Sequence, residues 1–555
     1  MLQIFCKNTN TTRKYVEGTS LLKMLDDFDF EKPFPIISAK VNNVSQGLKF
    51  RVYQNKEVEF LDAREPSGMR VYCRSLCFLL CKSAADVFPG CRVYMEHPIS
   101  HGYFFHLYKS DSSAVTQEDV DALKARMRGI VEQDMPFHRY DVHTEEAIKI
   151  FNANGSYDKV RLLQTNDEVY SDYYTLGDTA DYYYGRLVPS TGYLKVWDVQ
   201  LYHDGLLMRA CDKSNPFEVA PFVDQPKTYG MFKENLKWNI IMGLNTVGDV
   251  NFACREGHAS ELIQIAEALQ EKKIVSIAED IYRRYSESKV KLVLITGPSS
   301  SGKTTFCKRL SIQLKACGLK PLSMSTDDYF VDRVKTPLLP DGSYDFDNFD
   351  TVDHALMEKD LMKILSGEEV SVPEYNFVTG TRDYNGKKIK LRQGSILLIE
   401  GIHALNPELT RDIPDESKYK IFINTLTSSA LDNHNWIPTS DNRLLRRIVR
   451  DYNKGAFTAT ESIRQWPKVR ASEEKWIYPF QETADAMFNS AYLIEFAVLR
   501  NHAEPILASV PKNCPEYSEA HRLLKFIHYF TPVSDREIPP TSLLREFLGG
   551  SSFKY

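Results

Sequence analysis

The residues best suited to chemistry lie in the second half of the chain. GPSSSGKTT, residues 297–305, places four residues between two glycines and follows the second with Lys303 and Thr304. Glycines let a loop close around an anion with its N–H groups turned inward, and a helix starting behind the loop adds the positive end of its dipole. In the GxxxxGK[ST] pattern the lysine reaches the β- and γ-phosphates and the following hydroxyl ligates Mg²⁺. Gly297, Ser299, Ser300, Ser301, Gly302, Lys303, Thr304 and Thr305 are therefore the expected ATP-binding set. Downstream, SMSTDDYF carries Asp327 and Asp328 at the end of an apolar run, and LLIEG carries Glu400 at the end of another. A carboxylate at a strand's C-terminal end borders the ligand crevice of an open parallel sheet and can take a proton from a hydroxyl. That makes Asp327 the expected catalytic base, with Lys303 beside it, while a helix N-cap is the plainer reading and weighs more on Asp328. Glu400 suits a Mg²⁺-bound water, with Thr304 as the other metal-side residue. DNRLLRRIVRD puts Arg443, Arg446, Arg447 and Arg450 on one helix, either as a solvated face or as a lid that offsets phosphoryl charge.

The elements that must position these groups follow an α/β pattern. KLVLIT, PLSMS, SILLIEG and KIFINT read as buried parallel strands. TTFCKRLSIQLKACG reads as the helix behind the loop, with Gly318 as its stop. Before them, residues 224–290 are helical, with ASELIQIAEALQEKKIVSIAEDIYRRYSES at helical spacing. Residues 61–223 mix helices such as RSLCFLLCKSAADVF and TQEDVDALKARMRGIVEQD, the latter with a capping-box start at Thr116 and Asp119, with strands at GYFFHLY and GYLKVWDVQLY. Residues 1–60 alternate short apolar runs and turns around one amphipathic stretch capped by Ser20.

The totals set bounds. At 555 residues the chain exceeds a single core, and its 43% hydrophobic and 26% charged composition is that of a globular protein. A net charge of −5 gives no global basic field for nucleic acid or anionic membranes. No apolar stretch reaches the roughly 20 residues of a membrane span, and the N-terminus lacks a signal-peptide run, so a cytoplasmic protein without a membrane partner is expected. The ten cysteines show no paired spacing. Cys73, Cys77 and Cys81 share one helix face and read as packing rather than metal ligands, and His97 and His101 flank a proline that argues against a helical metal pair.

The motifs GPSSSGKTT, STDDYF, YDFDNFDTVD, VPEYNFVTGTRDY, ILLIEGIHAL, NRLLRRIVRD and ADAMFNS stand in an order that resembles the uridine kinase/phosphoribulokinase family of P-loop kinases over residues 291–495. The resemblance implies an α/β P-loop kinase domain with a parallel sheet over 291–555, using ATP and Mg²⁺. It implies Asp327 as catalytic base, Asp347 on a nucleoside ribose, Tyr375 and Phe330 in the nucleoside pocket, and Arg447 and Gln465 as further substrate contacts. Two departures bear on the acceptor. Gly380 stands where uridine kinases carry a pyrimidine-contacting histidine, and KGAF, with Ala456 and Phe457, replaces the family's RGR lid. The implied activity is phosphoryl transfer to a nucleoside 5′-hydroxyl. Another small hydroxylated acceptor, or a nucleotide-sensing RNA- or tRNA-binding regulator, are the alternatives.

The first 223 residues resemble the N-terminal part of threonyl-tRNA synthetases. Residues 1–60 look like its TGS domain, a β-grasp unit, and 61–223 look like its α+β editing domain, through RSLCFLLCKSAADVFPG, GYFFHL, RMRGIVEQDMPFHRYDV and GDTADYYYGRLVPSTGYLK. The editing positions, in patterns like HxxxH and CxxxH, read Arg74, Phe78, Tyr183 and Leu187, which predicts no editing chemistry. The region is expected to bind or regulate, with DYYYG either exposing aromatics to an RNA or nucleotide ligand or packing them inside. Residues 224–290 form a helical connector, and a homo-oligomer is expected.

Overall fold

A computed structural model describes residues 1–288, 290–427 and 429–555. The chain opens with a five-stranded sheet in which Leu2–Cys6 pairs parallel with Lys56–Leu61, flanked by the antiparallel strands Thr11–Tyr15, Ser38–Val41 and Val44–Gly47. The short helix Leu21–Leu25 starts where Ser20 accepts from the Lys23 N–H, and it packs Leu21 and Met24 against Ile4 and Val58. Next, the helix Pro66–Val87 is buried along most of its length, and the antiparallel strands Arg92–Ile99, Gly102–Tyr108, Gly205–Arg209 and Asp198–Tyr202 pack with it. Cys73, Cys77 and Cys81 lie inside that packing. Helix Gln117–Glu132 begins with the expected Thr116/Asp119 capping box. A three-stranded sheet, His138–His143, Tyr170–Leu176 and Thr179–Asp181, completes this α+β region.

The sequence pattern runs a strand from Gly192 through Tyr202, but only Asp198–Tyr202 is one. Residues Thr191–Tyr193 instead turn tightly, because the Thr191 hydroxyl donates to Ile130 and the Gly192 N–H to Asp134. These tertiary bonds override the local β-propensity. His97 and His101 separate as well: His97 is buried in its strand, stacked 3.6 Å from Phe232, and His101 sits in an exposed turn.

Helices Pro226–Met242, Val247–Arg255 and Ala259–Ser288 follow. The long one is no spacer. Ile274, Ile277, Ala278 and Ile281 share a core with Phe306, Leu310 and Leu314 of the helix Lys303–Ala316, and Arg309 reaches Glu267 across the pair at 3.2 Å. That core is one face of a five-stranded, all-parallel sheet in the order Lys320–Ser325, Ser395–Glu400, Leu292–Thr296, Lys418–Asn424, Ala486–Asn489. Leu292–Thr296 is buried at every residue, as a central parallel strand must be. The edge strand Ala486–Asn489 is four residues long, too short for periodicity to mark it. Among the described residues no helix is long and apolar enough to cross a membrane.

Candidate active site

The loop Gly297–Gly302 leaves the central strand and enters the helix Lys303–Ala316. Two glycines fix its path. A Cβ on Gly297 would lie 2.3 Å from the Ile423 carbonyl of the neighbouring strand. Gly302 has φ +84°, and a Cβ there would meet the Leu543 side chain at 2.4 Å. The Lys303 ammonium donates to the Gly297 and Pro298 carbonyls at 2.9 and 3.1 Å, and the Thr304 hydroxyl to Glu400 at 3.3 Å. Ser300 Oγ and Ser301 Oγ are buried without a hydrogen-bond partner among the described residues.

The acidic residues converge on the same place. Asp327 lies in a single 3₁₀ turn, Thr326–Tyr329, directly after the strand Lys320–Ser325. The N-cap of that turn is Ser325, whose hydroxyl accepts from the Asp327 N–H, so Asp327 itself is not a cap. Burial pushes the Asp327 carboxyl up, with Lys303 opposing it. Burial, then the charge of Asp327, pushes Glu400 up to about 7, against the pull of Lys303. Burial in turn pulls the Lys303 ammonium down, with Glu400 and Asp327 opposing. Each group thus feels the others in a poorly solvated space. Asp328 is half-buried, raised by burial and opposed by Lys387.

The remaining predicted positions fall into two groups beside this centre. Phe330 and Tyr375 pack edge to face at 5.5 Å, and Phe377 joins Tyr375 at 5.1 Å. Asp347 lies beside Arg447. Burial raises its carboxyl to about 6 despite that guanidinium. Arg447 donates to Gln465 at 3.1 Å and to the Ser299 hydroxyl at 3.3 Å, so the substrate-contact pair is tied to the phosphate loop. Gly380, at φ +73°, leaves no hole where a histidine was expected. A Cβ there would stand 2.9 Å from the Arg333 side chain, and Arg333 donates its own N–H to the Gly380 carbonyl.

The arginine row fits neither expectation for all its members. Arg443 and Arg446 are 0% exposed. Arg443 pairs with Glu473 and donates to the Ser299 carbonyl at 3.1 Å, while Arg446 pairs with Glu495 and the Ser490 carbonyl. They brace the loop from behind instead of covering it. Glu473 also accepts the Ser299 N–H at 2.9 Å. Glu473 and Glu495 sit in sequence contexts that read as ordinary helix surface, and only their burial reveals them.

In the N-terminal half, Arg74, Phe78, Tyr183 and Leu187 are all buried. Phe78 and Tyr183 rings stand 5.4 Å apart, and the Arg74 guanidinium donates to the Arg186 carbonyl. The exposed-aromatic reading of DYYYG is overturned: Tyr182 and Tyr183 are core residues, and Tyr184 lies under the Arg74 guanidinium. A polar nest lies next to them. The Lys159 ammonium stands 3.2 Å from Asp181 and 3.5 Å from both Asp158 and Asp432, and His434 contacts Asp181 at 2.7 Å. Cys81, Asp181 and His434 have ligand atoms within 4.8 Å of one another, but the Lys159 ammonium already supplies the cation there.

Comparison with known proteins assigns the half that carries the phosphate loop. The model of the phosphoribulokinase/uridine kinase family matches residues 292–493. A uridine kinase of Mycoplasma genitalium is 32% identical over 180 residues, which is 32% of this chain and 75% of that protein. The chain belongs to the phosphoribulokinase/uridine kinase family. Similar solved structures include a possible uridine kinase from Bacillus stearothermophilus (20% identity, 36% of this chain and 89% of that one, TM-score 0.25) and a putative fructose transport system kinase from Silicibacter (17%, 39% and 98%, TM-score 0.30). The N-terminal region is similar to threonine–tRNA ligases. That of Carboxydothermus hydrogenoformans is 26% identical over 219 residues, 39% of this chain and 34% of the ligase, so the chain spans about a third of the ligase's length. The phosphate loop, Asp327 and Glu400 thus sit at the C-terminal ends of three neighbouring parallel strands.

Proposed function

We propose that this chain is an ATP-dependent kinase that transfers the γ-phosphoryl group to a hydroxyl of a small molecule, with a nucleoside 5′-hydroxyl as the favoured acceptor. One observation carries the reading. Lys303, Asp327 and Glu400 stand half-buried together at the mouth of the phosphate loop, each displaced from its ordinary titration range, as groups awaiting a charged ligand are. The residues suit ATP and Mg²⁺: Ser300 and Ser301 offer buried hydroxyls without partners among the described residues, and Thr304 donates to Glu400 where a metal would be held. Bound ATP with Mg²⁺ supplies the transferable phosphoryl group and the charge that balances it. Asp327 takes the acceptor's proton. Phe330, Tyr375 and Phe377 offer a flat base an aromatic wall, and Asp347 with Arg447 and Gln465 holds the sugar side. Arg333, in the space beside Gly380, keeps the base identity open.

We assign residues 1–60 as a TGS-like β-grasp unit, 61–223 as an editing-like module without editing chemistry, 224–290 as helices packed on the kinase, and 291–555 as the kinase domain. The similarity to threonine–tRNA ligases and the parallel pairing of the first and last strands of the opening unit support this division. The test is ADP release across a panel of nucleosides and other small alcohols. The Asp327→Asn variant should turn over about 10²–10⁴-fold more slowly with nucleotide affinity retained. Equal turnover in wild type and variant would remove Asp327 from the chemistry.

A further inference from the structure

The end of the phosphate loop and the first turn of its helix are contacted by the chain's own segment Ile538–Tyr555. Glu546 accepts from both the N–H and the hydroxyl of Thr305, at 3.3 and 2.6 Å, across 241 residues of sequence. The Tyr555 hydroxyl lies 2.8 Å from the same Thr305 oxygen. Thr305 is the last polar residue of the loop motif and stands in the first turn of its helix, where a nucleotide phosphate would seek N–H and O–H donors.

Two sets of contacts hold the segment down. Leu543 presses on Gly302 and shares a core with Phe306 and Ile295. Phe547 lies under the Arg446 guanidinium, and Asn453 donates to the Phe547 carbonyl at 3.2 Å. Beyond this anchor, Gly549 and Gly550 both have positive φ, at 86° and 71°, and turn the chain back so that Tyr555 reaches the loop, with the Lys308 and Lys454 ammonium groups 5.8 and 5.9 Å from its ring. The buried anchor and the glycine turn are separable. Glu546 is half-buried between the buried Leu543 and Phe547, so its side chain is not part of the anchor.

Charge supplies the second argument. Glu546, Glu400, Asp327 and Glu473 all act on the single Lys303 ammonium. A phosphate arriving at Thr305 would meet the same donors and the same cation, and two anions cannot share them in a space with little water.

We infer that Ile538–Tyr555 is an autoinhibitory strap, in which the Glu546 carboxylate holds the Thr305 donors in place of a nucleotide phosphate and must swing away for nucleotide to bind. The inference rests on the reading of residues 297–305 as the nucleotide site. Equilibrium titration of the full chain with a fluorescent ATP analogue (mant-ATP) tests it, using wild type, Glu546→Gln, and Tyr555→Ala. Glu546→Gln keeps the side chain's shape and removes its charge, so it should bind about tenfold tighter than wild type. Tyr555→Ala lies outside the buried anchor and keeps the test open if Glu546→Gln folds poorly; it should tighten binding severalfold. Binding by wild type with no gain in either variant would overturn the strap and leave the nucleotide site standing. Mant-ATP binding by none of the three, with melting temperatures like that of wild type, would overturn the nucleotide site and the strap with it.

Discussion

Two lysines, Lys159 buried and Lys303 half-buried, mark the two halves of the molecule, and their surroundings differ in kind. Lys159 has three carboxylates within 3.5 Å, and they outweigh the burial that opposes its charge, raising it well above its ordinary range. Asp181 beside it accepts from Tyr182, Tyr183 and His434, and, against its burial, His434 and Lys159 hold its carboxyl far below the usual range. Among the described residues Lys303 has only loop carbonyls for direct partners, and its burial pulls it down. The nearby carboxylates are raised rather than lowered. The first cluster has its counter-charges built in, so it serves the fold. In the second, four carboxylates act on Lys303 without pairing with it, as in a site completed by a ligand. Chemistry in such a cluster is therefore read from charges left without a direct partner, not from the number of charged groups.

The comparison breaks most sharply on the lysines themselves. Lys159→Met should cost about 3–5 kcal/mol of stability, because it strands buried carboxylates. Lys303→Met should change stability by no more than about 1 kcal/mol, since it removes a charge the fold already disfavours, and should abolish ATP-analogue binding. Denaturant unfolding of both variants checks the pair, and equal losses would dissolve the distinction. The carboxylates offer a second test with opposite signs. Asp347 is raised to about 6 from about 3.9 in an unfolded chain, so its contribution is fully present below about pH 4 and lost as pH rises through 6. Relative to Asp347→Asn, the wild type should lose on the order of 2–3 kcal/mol between pH 4 and pH 8. Asp181 is depressed instead, so its contribution is present above the unfolded value and lost as pH falls. Melting curves across pH for wild type and Asp347→Asn decide the first slope.

Much of the kinase half was legible in the sequence because its signals are local. GPSSSGKTT lies between a buried strand and a helix, Asp327 and Glu400 close two further strands, and all three fall at the C-terminal ends of neighbouring parallel strands. The parts that stayed hidden depend on contacts made across long stretches of chain. Arg443 and Arg446 looked like a solvated row or a lid because nothing nearby in sequence names Glu473 and Glu495 as their partners. The Thr305–Glu546 contact spans 241 residues and leaves no periodic trace. In the N-terminal half the residues at 74, 78, 183 and 187 were visible in the sequence, but the polar nest next to Tyr183 was not, since Asp432 and His434 come from the kinase half. The tyrosines of DYYYG read equally well as exposed or packed, and only tertiary structure chose between the two.

The smallest expected effect tests whether Tyr183 serves the stability of its core alone. Tyr183 occupies a position where the resemblance calls for a polar ligand, and it donates to Asp181 at 3.0 Å from within the core. Tyr183→Phe keeps the ring against Phe78 and removes one donor from a carboxylate that retains Lys159, His434 and the Tyr182 N–H. The loss should therefore be about 1 kcal/mol, the net worth of one buried hydrogen bond whose acceptor keeps other partners. Phosphoryl transfer should be unchanged, because the hydroxyl serves a cluster whose lysine is paired directly with carboxylates of the fold. A variant of wild-type stability but altered turnover would show that this core communicates with the phosphate loop, and the division between a structural and a catalytic lysine would have to be redrawn.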